Sequence, residues 1–475
     1  MTTGLELNLK NMLLIGTSIV VILVYFVKKV IETRKLKQKS QFPNPIIGIF
    51  HPYCNAGGGG ERVLWCSVRA LQKKYADYHI VVYTGDQLPS EEILDHARNK
   101  FNINLSSSSV SFVYLTQRGW IEAGRYPVFT LLGQSVGSMI LSLEALFKLV
   151  PDIYIDTMGY AFSYPLFKYL GGSKVGSYVH YPTISTDMLK RVSQQSLTYN
   201  NNARIARSAV LSSSKLVYYR IFAYIYGWMG RRADIALVNS SWTENHINSI
   251  WKIPFRTRRV YPPCDVTAFS QLELIPDSDK EQKKIIAVAQ FRPEKDHPLM
   301  IRSFFHLVDK LPDEKKASVR LLLVGSCRHQ EDFDRVEDYK RLVKHFNIDG
   351  QVGFHINVTF EELKEMLQDS TIGLHTMWNE HFGIGVVECM AAGVIMVAHK
   401  SGGPLMDIVI PDGASQNGLL AWDEEEYSSV LHNVLNMTEK ERNKLKINAR
   451  ASVSRFSDEE FEKNFLSGVA PLFPA

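Results

Sequence analysis

NEHFGIGVVECMAAG, residues Asn379 to Gly393, carries two acids, Glu380 and Glu388, that frame a glycine-containing and largely apolar run. Upstream, Ser370–Thr376 (STIGLHT) predicts a short buried strand, and downstream Val394–His399 (VIMVAH) predicts another. Strand, acid-bearing loop, helix and strand make a parallel α/β unit. Glu380 then stands at a strand's carboxyl end, where open α/β sheets bind ligands. Gly383 and Gly385 open the helix, so bare N–H groups at its positive end can meet an anion such as a diphosphate. Glu388 follows one to two turns in, about 7 Å along the axis at about 1.5 Å per residue. One acid would reach one end of a ligand and the second the other, with phosphates between. A solvated helix acid beside a first-turn acid has the same appearance, so the pair gains meaning only from its company.

At 475 residues the chain exceeds one ordinary domain, and two or three are expected. Apolar residues at 45% and charged residues at 22% describe a globular protein with ample core. The net charge of +5 is mild and dispersed, with no basic helix interleaved with aromatics, which speaks against a nucleic-acid partner. Cys54, Cys66, Cys264, Cys327 and Cys389 never fall in CxxC spacing and read as reduced thiols facing cytosol, not as a zinc site. No HExxH, GxSxG elbow or acidic cluster with metal spacing supports a hydrolase or a metalloenzyme.

Met12–Val27 (MLLIGTSIVVILVYFV) is an uncharged apolar run near the lower length limit for crossing a bilayer. Lys28, Lys29, Arg34, Lys35, Lys37 and Lys39 all follow it, whereas a cleaved signal peptide carries its charge first. Residues 1–43 therefore read as a membrane anchor with a basic sequel, and the positive-inside rule puts everything after residue 28 in the cytosol. The sequons at Asn104, Asn239, Asn357 and Asn436 should then stay bare.

Phe42-Pro43-Asn44-Pro45 joins the anchor to a first α/β domain over residues 44–265. Its opening strand, Ile46–Phe50, runs into Gly57, Gly58, Gly59 and Gly60, which precede an amphipathic helix beginning near Glu61. Strand, glycine loop and helix start make a phosphate cradle, because no side chain blocks backbone approach. The pattern is neither GxGxxG nor a Walker loop, and a flexible loop would share its composition. Strands at His79–Thr84, Ser111–Leu115, Ile153–Asp156 and Lys174–His180 alternate with helices at Ser90–Phe101, Phe129–Leu149, Ser214–Gly227 and Ser241–Trp251, a doubly wound sheet. Phe129–Val150 and Leu216–Gly230 have wide apolar faces. The second is rimmed by Lys215, Arg220, Arg231 and Arg232, and suits either a core or a membrane interface. His180 closes a strand ahead of a proline turn, placed to face a crevice.

Arg258–Asp265 (RRVYPPCD) reads as a last strand with a stiff exit, and the polar, acidic residues 266–283 as an interdomain linker. A second α/β domain spans 284–455. Its first strand, Ile285–Ala289, leads to Arg292 and Lys295 just before a helix, where two cations would balance a diphosphate. Strands at Leu321–Gly325 and Val352–Phe354 come next. After the motif, Ser401-Gly402-Gly403-Pro404 starts one more helix, and residues 456–475 form a tail that packs back on the first domain.

Two doubly wound domains, a glycine loop in the first, and Arg/Lys with Glu-x7-Glu followed by MAAG in the second resemble the GT-B glycosyltransferases of the retaining class that uses nucleotide sugars. HPYCNAGGGGERVLW, VHYPTIST, QFRPEKDHPL and SGGP bring the resemblance nearer to the GDP-mannose-dependent α-1,2-mannosyltransferases that extend the dolichol-linked oligosaccharide at the cytosolic face of the endoplasmic reticulum. It implies an α/β GT-B fold, two Rossmann-like domains with a deep cleft between them behind an N-terminal membrane helix. It also implies mannose transfer with retention in the N-glycan precursor pathway, without metal or cofactor beyond the GDP-mannose co-substrate. The implied setting is a single-pass protein of the endoplasmic-reticulum membrane, catalytic domains in the cytosol, in complex with other dolichol-pathway glycosyltransferases.

By the same resemblance Glu380, Lys295 and His180 act on the reacting sugar and phosphate: Glu380 bonds mannose hydroxyls and His180 touches the sugar. His381, Phe382, Gly383 and Ile384 hold the diphosphate through backbone N–H groups, Glu388 takes the ribose hydroxyls, and Arg292 with Lys295 neutralises the leaving phosphate. Gly57 to Gly60 close over the diphosphate from the other domain. Many relatives space the Arg and Lys more widely than Arg292 and Lys295, which makes Lys295 the firmer phosphate ligand. The leaving phosphate itself takes the acceptor proton, as in retaining relatives. Other readings of these residues are a different lipid-linked glycosyltransferase, such as another dolichol-pathway mannosyltransferase or the N-acetylglucosaminyl enzyme that starts membrane anchors, and a catalytically silent GT-B scaffold.

Overall fold

The computed structural model describes residues 2–188, 209–276 and 282–474. Helix α1 (Thr2–Gln38) precedes the first sheet. Then come β1 (Ile46–Phe50), α2 (Gly59–Lys74), β2 (His79–Thr84), α3 (Ser90–Phe101), β3 (Val110–Tyr114), α4 (Thr130–Lys148), β4 (Ile153–Asp156) and β5 (Lys174–Val179). The first domain closes with α5 (Ala209–Gly230), β6 (Ile235–Val238), α6 (Ser241–Trp251) and β7 (Thr257–Arg259). Its seven strands are parallel in the order β3-β2-β1-β4-β5-β6-β7. Strands β1, β4 and β6 are buried along their whole length, as strands covered on both faces must be. Successive side chains alternate between two cores: Ile46 and Phe50 meet α4 and α5, while Ile47 and Ile49 meet α2 and α3.

The second domain begins with α7 (Val266–Ser270), β8 (Lys283–Val288), α8 (His297–Lys310), β9 (Val319–Gly325), α9 (Gln330–His345), β10 (Val352–Ile356) and α10 (Phe360–Asp369). It continues through β11 (Ser370–His375), α11 (Ile384–Ala391), β12 (Ile395–His399), β13 (Leu419–Ala421), α12 (Glu424–Asn436) and α13 (Glu439–Val453), before a last helix, α14 (Asp458–Val469). Its strands are parallel in the order β10-β9-β8-β11-β12-β13. The order reverses between β1 and β4 in one sheet and between β8 and β11 in the other. Such reversals open a crevice at the strands' carboxyl ends, and the glycine loop, Lys295 and Glu380 all follow strands at these points.

Two segments depart from their expected form. The expected linker 266–283 is not free at its start: α7 buries Val266 and Phe269 in the same core as Val386 and Met390 of α11. Residues 277–281 of that linker lie outside the described residues. The helix expected after Ser401 is a five-residue π-turn, Pro404–Ile408, too short to offer an anion site of its own. Its glycines serve the acid-bearing loop instead, as described below.

The tail crosses back. Arg62 of α2 donates to both carboxylate oxygens of Asp458 on α14, at 3.0 and 3.1 Å, and Arg69 reaches Asp458 at 3.1 Å. Phe473 stacks on Tyr75 with ring centroids 3.6 Å apart. Asp407 of the second domain accepts from the Ser241 amide at 2.9 Å, the Ser241 hydroxyl at 2.6 Å and the Tyr261 hydroxyl at 2.9 Å. The Asn379 side chain donates to Asp187 at 2.7 Å. These contacts fix the two lobes on either side of the crevice.

Helix α4 is, among the described residues, the one long and apolar enough to cross a membrane. One of its faces is already occupied. A Cβ on Gly133 would meet the Tyr126 ring at 2.4 Å, and one on Gly137 would meet the Trp120 carbonyl oxygen at 1.9 Å. Small residues four apart thus clamp the loop 117–126 onto the helix, with Tyr126 donating to the Trp120 carbonyl at 2.8 Å. Overpacking that contact with Gly137→Val should cost about 1–3 kcal/mol, read as a lowered urea midpoint of the purified protein; an unchanged midpoint would mean the loop is not clamped there.

Candidate active site

A cavity of ≈ 520 Å³ lies between the lobes, within the size range of small-molecule sites. Its walls include Gly59, Gly60 and His180 of the first domain and Lys295, Glu380, His381, Phe382, Gly383, Ile384, Gly385 and Glu388 of the second. Helices α2 and α11 point their amino ends at it from opposite sides. A Cβ on Gly59 would sit 2.6 Å from the tip of the Ile384 side chain, so a larger residue there would push Ile384 aside where the two helix starts meet. Gly383 caps α11 with φ +112°, a left-handed conformation that a Cβ would strain. The leading N–H groups of both helices lack intrahelical acceptors and carry the positive end of the helix dipole.

Glu380 pairs with the Lys295 ammonium and lies 3.2 Å from His375 Nε2. Burial alone would raise its pKa, but the Lys295 charge and His375 hold it well below the usual carboxylate range. Lys295 also touches Met377 Sδ at 3.1 Å, and Thr376 fastens the turn bearing Lys295 by donating to its carbonyl at 2.9 Å. The Ser401-Gly402-Gly403 turn backs the Glu380 loop: Gly403 N–H donates to Glu380 O at 2.7 Å and Ser401 Oγ accepts from Asn379 N at 2.7 Å. Side chains at Gly402 or Gly403 would strike the Glu380 or Phe382 carbonyl oxygen at 2.3 Å.

Glu388 lies one turn into α11 on the cavity wall. Burial pushes its carboxyl up to about 7; the Arg62 charge opposes this and Asp265 adds to it. The two acids of one motif are thus tuned apart, one held ionised by a lysine and one poised near neutrality. His180 is half-buried, and the desolvation of its ring together with nearby His51 pushes it down to about 4. Its backbone hydrogen bond is to Thr157, and its Nε2 stays buried without a partner among the described residues, 3.7 Å from where a Gly60 Cβ would sit. The His381 ring lies against Tyr181 and Trp242 of the first domain, with centroids 4.3 and 5.1 Å away, and burial pushes it down to about 4.

Three residues of the expected set stand outside the cavity wall. Gly57, at φ +76°, faces His96 and Lys100 of α3, and Gly58 gives its N–H to Glu61. A loop that must turn into a helix within four residues cannot aim all four glycines at one ligand. Arg292 precedes the turn that presents Lys295 and is half-buried beside the site. Conversely, Asn239, Ser326 and Asn357 line the cavity, and His51, Glu61 and Thr157 stand just behind it. None of these six entered the expected site. Glu61, three residues after Gly58, is the only one whose spacing points to the loop: it supplies the acid half of a capping box, receiving the Gly58 N–H, while glycine has no side chain for the other half.

Residues 44–251 match the family model described as ALG11 mannosyltransferase N-terminus, and residues 272–452 match Glycosyl transferases group 1. The Xenopus laevis protein named GDP-Man:Man(3)GlcNAc(2)-PP-Dol alpha-1,2-mannosyltransferase is 52% identical over 463 residues, covering 97% of this chain and 95% of the relative. The Homo sapiens protein of the same name is 53% identical over 447 residues, covering 94% and 90%. The chain belongs to the ALG11 mannosyltransferase family. Among solved structures, Anabaena Alr3699/HepE in complex with UDP and glucose superposes on 90% of this ALG11-family chain with a TM-score of 0.60 at 13% identity, and covers 100% of its own length. An apo OtsA structure does so on 91% with a TM-score of 0.64, also at 13% identity. Both are similar in fold.

Because the folded protein resists ionising Glu388, the stability its neutral carboxyl contributes is full below the ordinary value of 4.5 and lost as pH rises through about 7. Glu388→Gln should therefore become progressively more stable than the parent from about pH 5 to about pH 8 in the ligand-free protein. Urea midpoints at the two pH values measure this, and a pH-independent difference would rule out the raised carboxyl.

Proposed function

We propose that this chain transfers mannose from GDP-mannose, in α-1,2 linkage and with retention, to a Man3GlcNAc2 oligosaccharide carried on dolichol diphosphate. The observation that carries the reading is the pair of helix amino ends converging with Lys295 on one cavity, flanked by two acids in different protonation regimes, in a chain of this family. A diphosphate answers the positive ends, Glu388 accepts from ribose hydroxyls at one extremity, and Glu380 accepts from hexose hydroxyls at the other. Gly59 and Gly60 cover the diphosphate from the first domain, while Phe382, Gly383 and Ile384 present backbone N–H groups from the second. Lys295 is the cation of the site; Arg292 acts at most through the turn it begins.

Cleavage of the bond between mannose C1 and the β-phosphate oxygen leaves positive charge on the sugar and negative charge on GDP. Lys295 and the helix amides stabilise the departing phosphate, fixed in place before charge develops. The acceptor 2-hydroxyl oxygen bonds C1 on the same face, and its proton passes to the departing phosphate oxygen, which balances the step without a second acid. Neutral His180 offers the Nε2 lone pair to a sugar hydroxyl rather than a proton.

Association with the endoplasmic-reticulum membrane rests on two features. Ile19 and Val21 to Phe26 of α1 are exposed, while Lys35 pairs with Asp152 at 3.1 Å and Gln38 bonds Val150 at 2.8 and 2.9 Å, docking the helix end on the first domain. Val128, Phe129, Leu132 and Val136 beside α4, with Val217, Ile221, Tyr224 and Trp228 of α5, add exposed apolar surface on the same domain. Such a surface, rimmed by Lys215, Arg220 and Arg232, suits the membrane interface where a dolichol-linked acceptor resides. The cytosolic orientation and single span follow from the basic residues after Phe26.

Purified protein is to be incubated with radiolabelled GDP-mannose, UDP-GlcNAc or UDP-glucose and a Man3GlcNAc2-diphosphate lipid, with and without EDTA. Transfer should come from GDP-mannose alone and be insensitive to EDTA, and Lys295→Met should lower kcat by about 100-fold or more. Transfer from a UDP-sugar would overturn the donor, and an unchanged kcat would remove Lys295 from the chemistry. In cells, exposed Asn104 and Asn436 should remain unmodified; a mobility shift on glycosidase treatment would reverse the orientation.

A further inference from the structure

Behind the cavity wall, three side chains, those of His51, Glu61 and Thr157, form a buried chain that the proposed reaction does not use directly. His51, immediately after β1, is fully buried; its Nδ1 lies 2.7 Å from Thr157 Oγ1 and its Nε2 3.3 Å from Glu61 Oε1. Glu61 Oε2 accepts the Gly58 N–H. Thr157, just past β4, engages His180 through its backbone. Thr157 therefore touches both histidines, and Glu61 touches both His51 and the glycine loop.

The hydrogens along this path are mutually constrained. With Thr157 O–H donating to His51 Nδ1, His51 Nε2–H donates to Glu61 Oε1, and the second Glu61 oxygen is left for Gly58 N–H. Every buried polar side-chain atom of His51, Thr157 and Glu61 then has a partner, and Thr157 Oγ1 also lies 3.3 Å from the Phe50 carbonyl oxygen. His180 Nδ1–H serves the Thr157 backbone, which leaves Nε2 as the bare acceptor directed toward Gly60. A capping box by itself explains the Glu61–Gly58 bond. It does not explain why the same carboxylate is tied through a buried histidine to the residue that orients His180.

We propose that His51 and Glu61 are positioning residues that hold the glycine loop and His180 in one fixed relation, so that the loop's amides and the His180 acceptor meet the donor's phosphate and sugar together. The inference rests on the donor site described above. It adds two residues that touch no substrate and act through Gly58–Gly60 and through Thr157. Glutamine at position 61 keeps the volume but loses the charge: its carbonyl can serve the loop amide only if His51 reverses its tautomer, with Thr157 donating to the Phe50 carbonyl 3.3 Å away, so charge-assisted bonds become weaker neutral ones. The loop amides matter most when charge builds on the leaving phosphate, so the loss falls on kcat more than on the donor KM.

The test measures kcat, donor KM and thermal midpoint for the full-length parent and for Glu61→Gln, His51→Ala, His51→Gln and the double variant His51→Ala/Glu61→Gln. Glu441→Gln is the control, since Glu441 accepts the Thr438 N–H at the start of α13 as Glu61 accepts the Gly58 N–H, away from the cavity. Glu61→Gln and His51→Ala should each lower kcat by about tenfold or more with KM changed less than about threefold. The double variant should be no worse than the more impaired single, as for residues acting as a unit. His51→Gln, which can still donate to Glu61, should recover part of the loss, and Glu441→Gln should shift the midpoint but not kcat. Additive losses, an equal kcat loss in Glu441→Gln, or kcat within about twofold of the parent would overturn the proposal. A parent that transfers no mannose would instead overturn the functional reading and leave the variants nothing to report.

Discussion

Two helix amino ends held face to face across a narrow gap are electrostatically unfavourable in an empty protein. Each end carries a partial positive charge, roughly half an elementary charge in the dipole picture, and Lys295 adds a whole one to the same space. Nothing local would keep such groups together; the rest of the architecture has to. Asp407 spans the lobes with three hydrogen bonds, Asp187 takes the Asn379 amide, and the His381 ring is lodged between Tyr181 and Trp242. Glu380 meanwhile neutralises Lys295 in the absence of a ligand. The arrangement is a charge frame already assembled, with Glu380 as the internal counter-charge to Lys295.

The same frame explains how two glutamates eight positions apart diverge. Glu380 sits on a loop where a lysine and a histidine converge, so its carboxylate is stabilised. Glu388 sits on a helix flank whose nearest charges, Arg62 and Asp265, partly cancel, so burial dominates. Arg62 is also the residue that grips Asp458 of the final helix. The electrostatics of the second domain's helix thus depend on a residue of the first domain, placed by a segment from the end of the described chain.

Periodicity made most of the two sheets legible: ten of the thirteen described strands lie within about two residues of the expected buried runs, because strands covered on both faces are continuous apolar stretches. Strands β6 and β13 were not anticipated, and β7 stops at Arg259 instead of running to Asp265. Glu380, Lys295 and His180 were legible too, since each follows a strand end on the cavity wall, and Glu388 through its spacing from Glu380. The glycines were legible as a group but not individually. Which of Gly57 to Gly60 reaches the cavity depends on the helix starting at Gly59, a matter of backbone angles. His51 and Thr157 carried no signal at all, because a single polar residue after a strand is indistinguishable from any other until the sheet order sets β1 beside β4. The apolar face of α4 misleads for a related reason: Gly133 and Gly137 look like a membrane-helix feature, yet they receive Tyr126 and Trp120.

The return of α14 onto α2 has a temporal side. Arg62 and Asp458 are 396 positions apart, so at about 5–20 residues per second of synthesis the first waits roughly 20–80 s for the second to leave the ribosome. Over that interval the α2 surface that Phe461, Phe465 and Asp458 will cover is bare. Chaperone engagement during translation would be concentrated on that face, and a premature stop anywhere in the second half would leave it open for good.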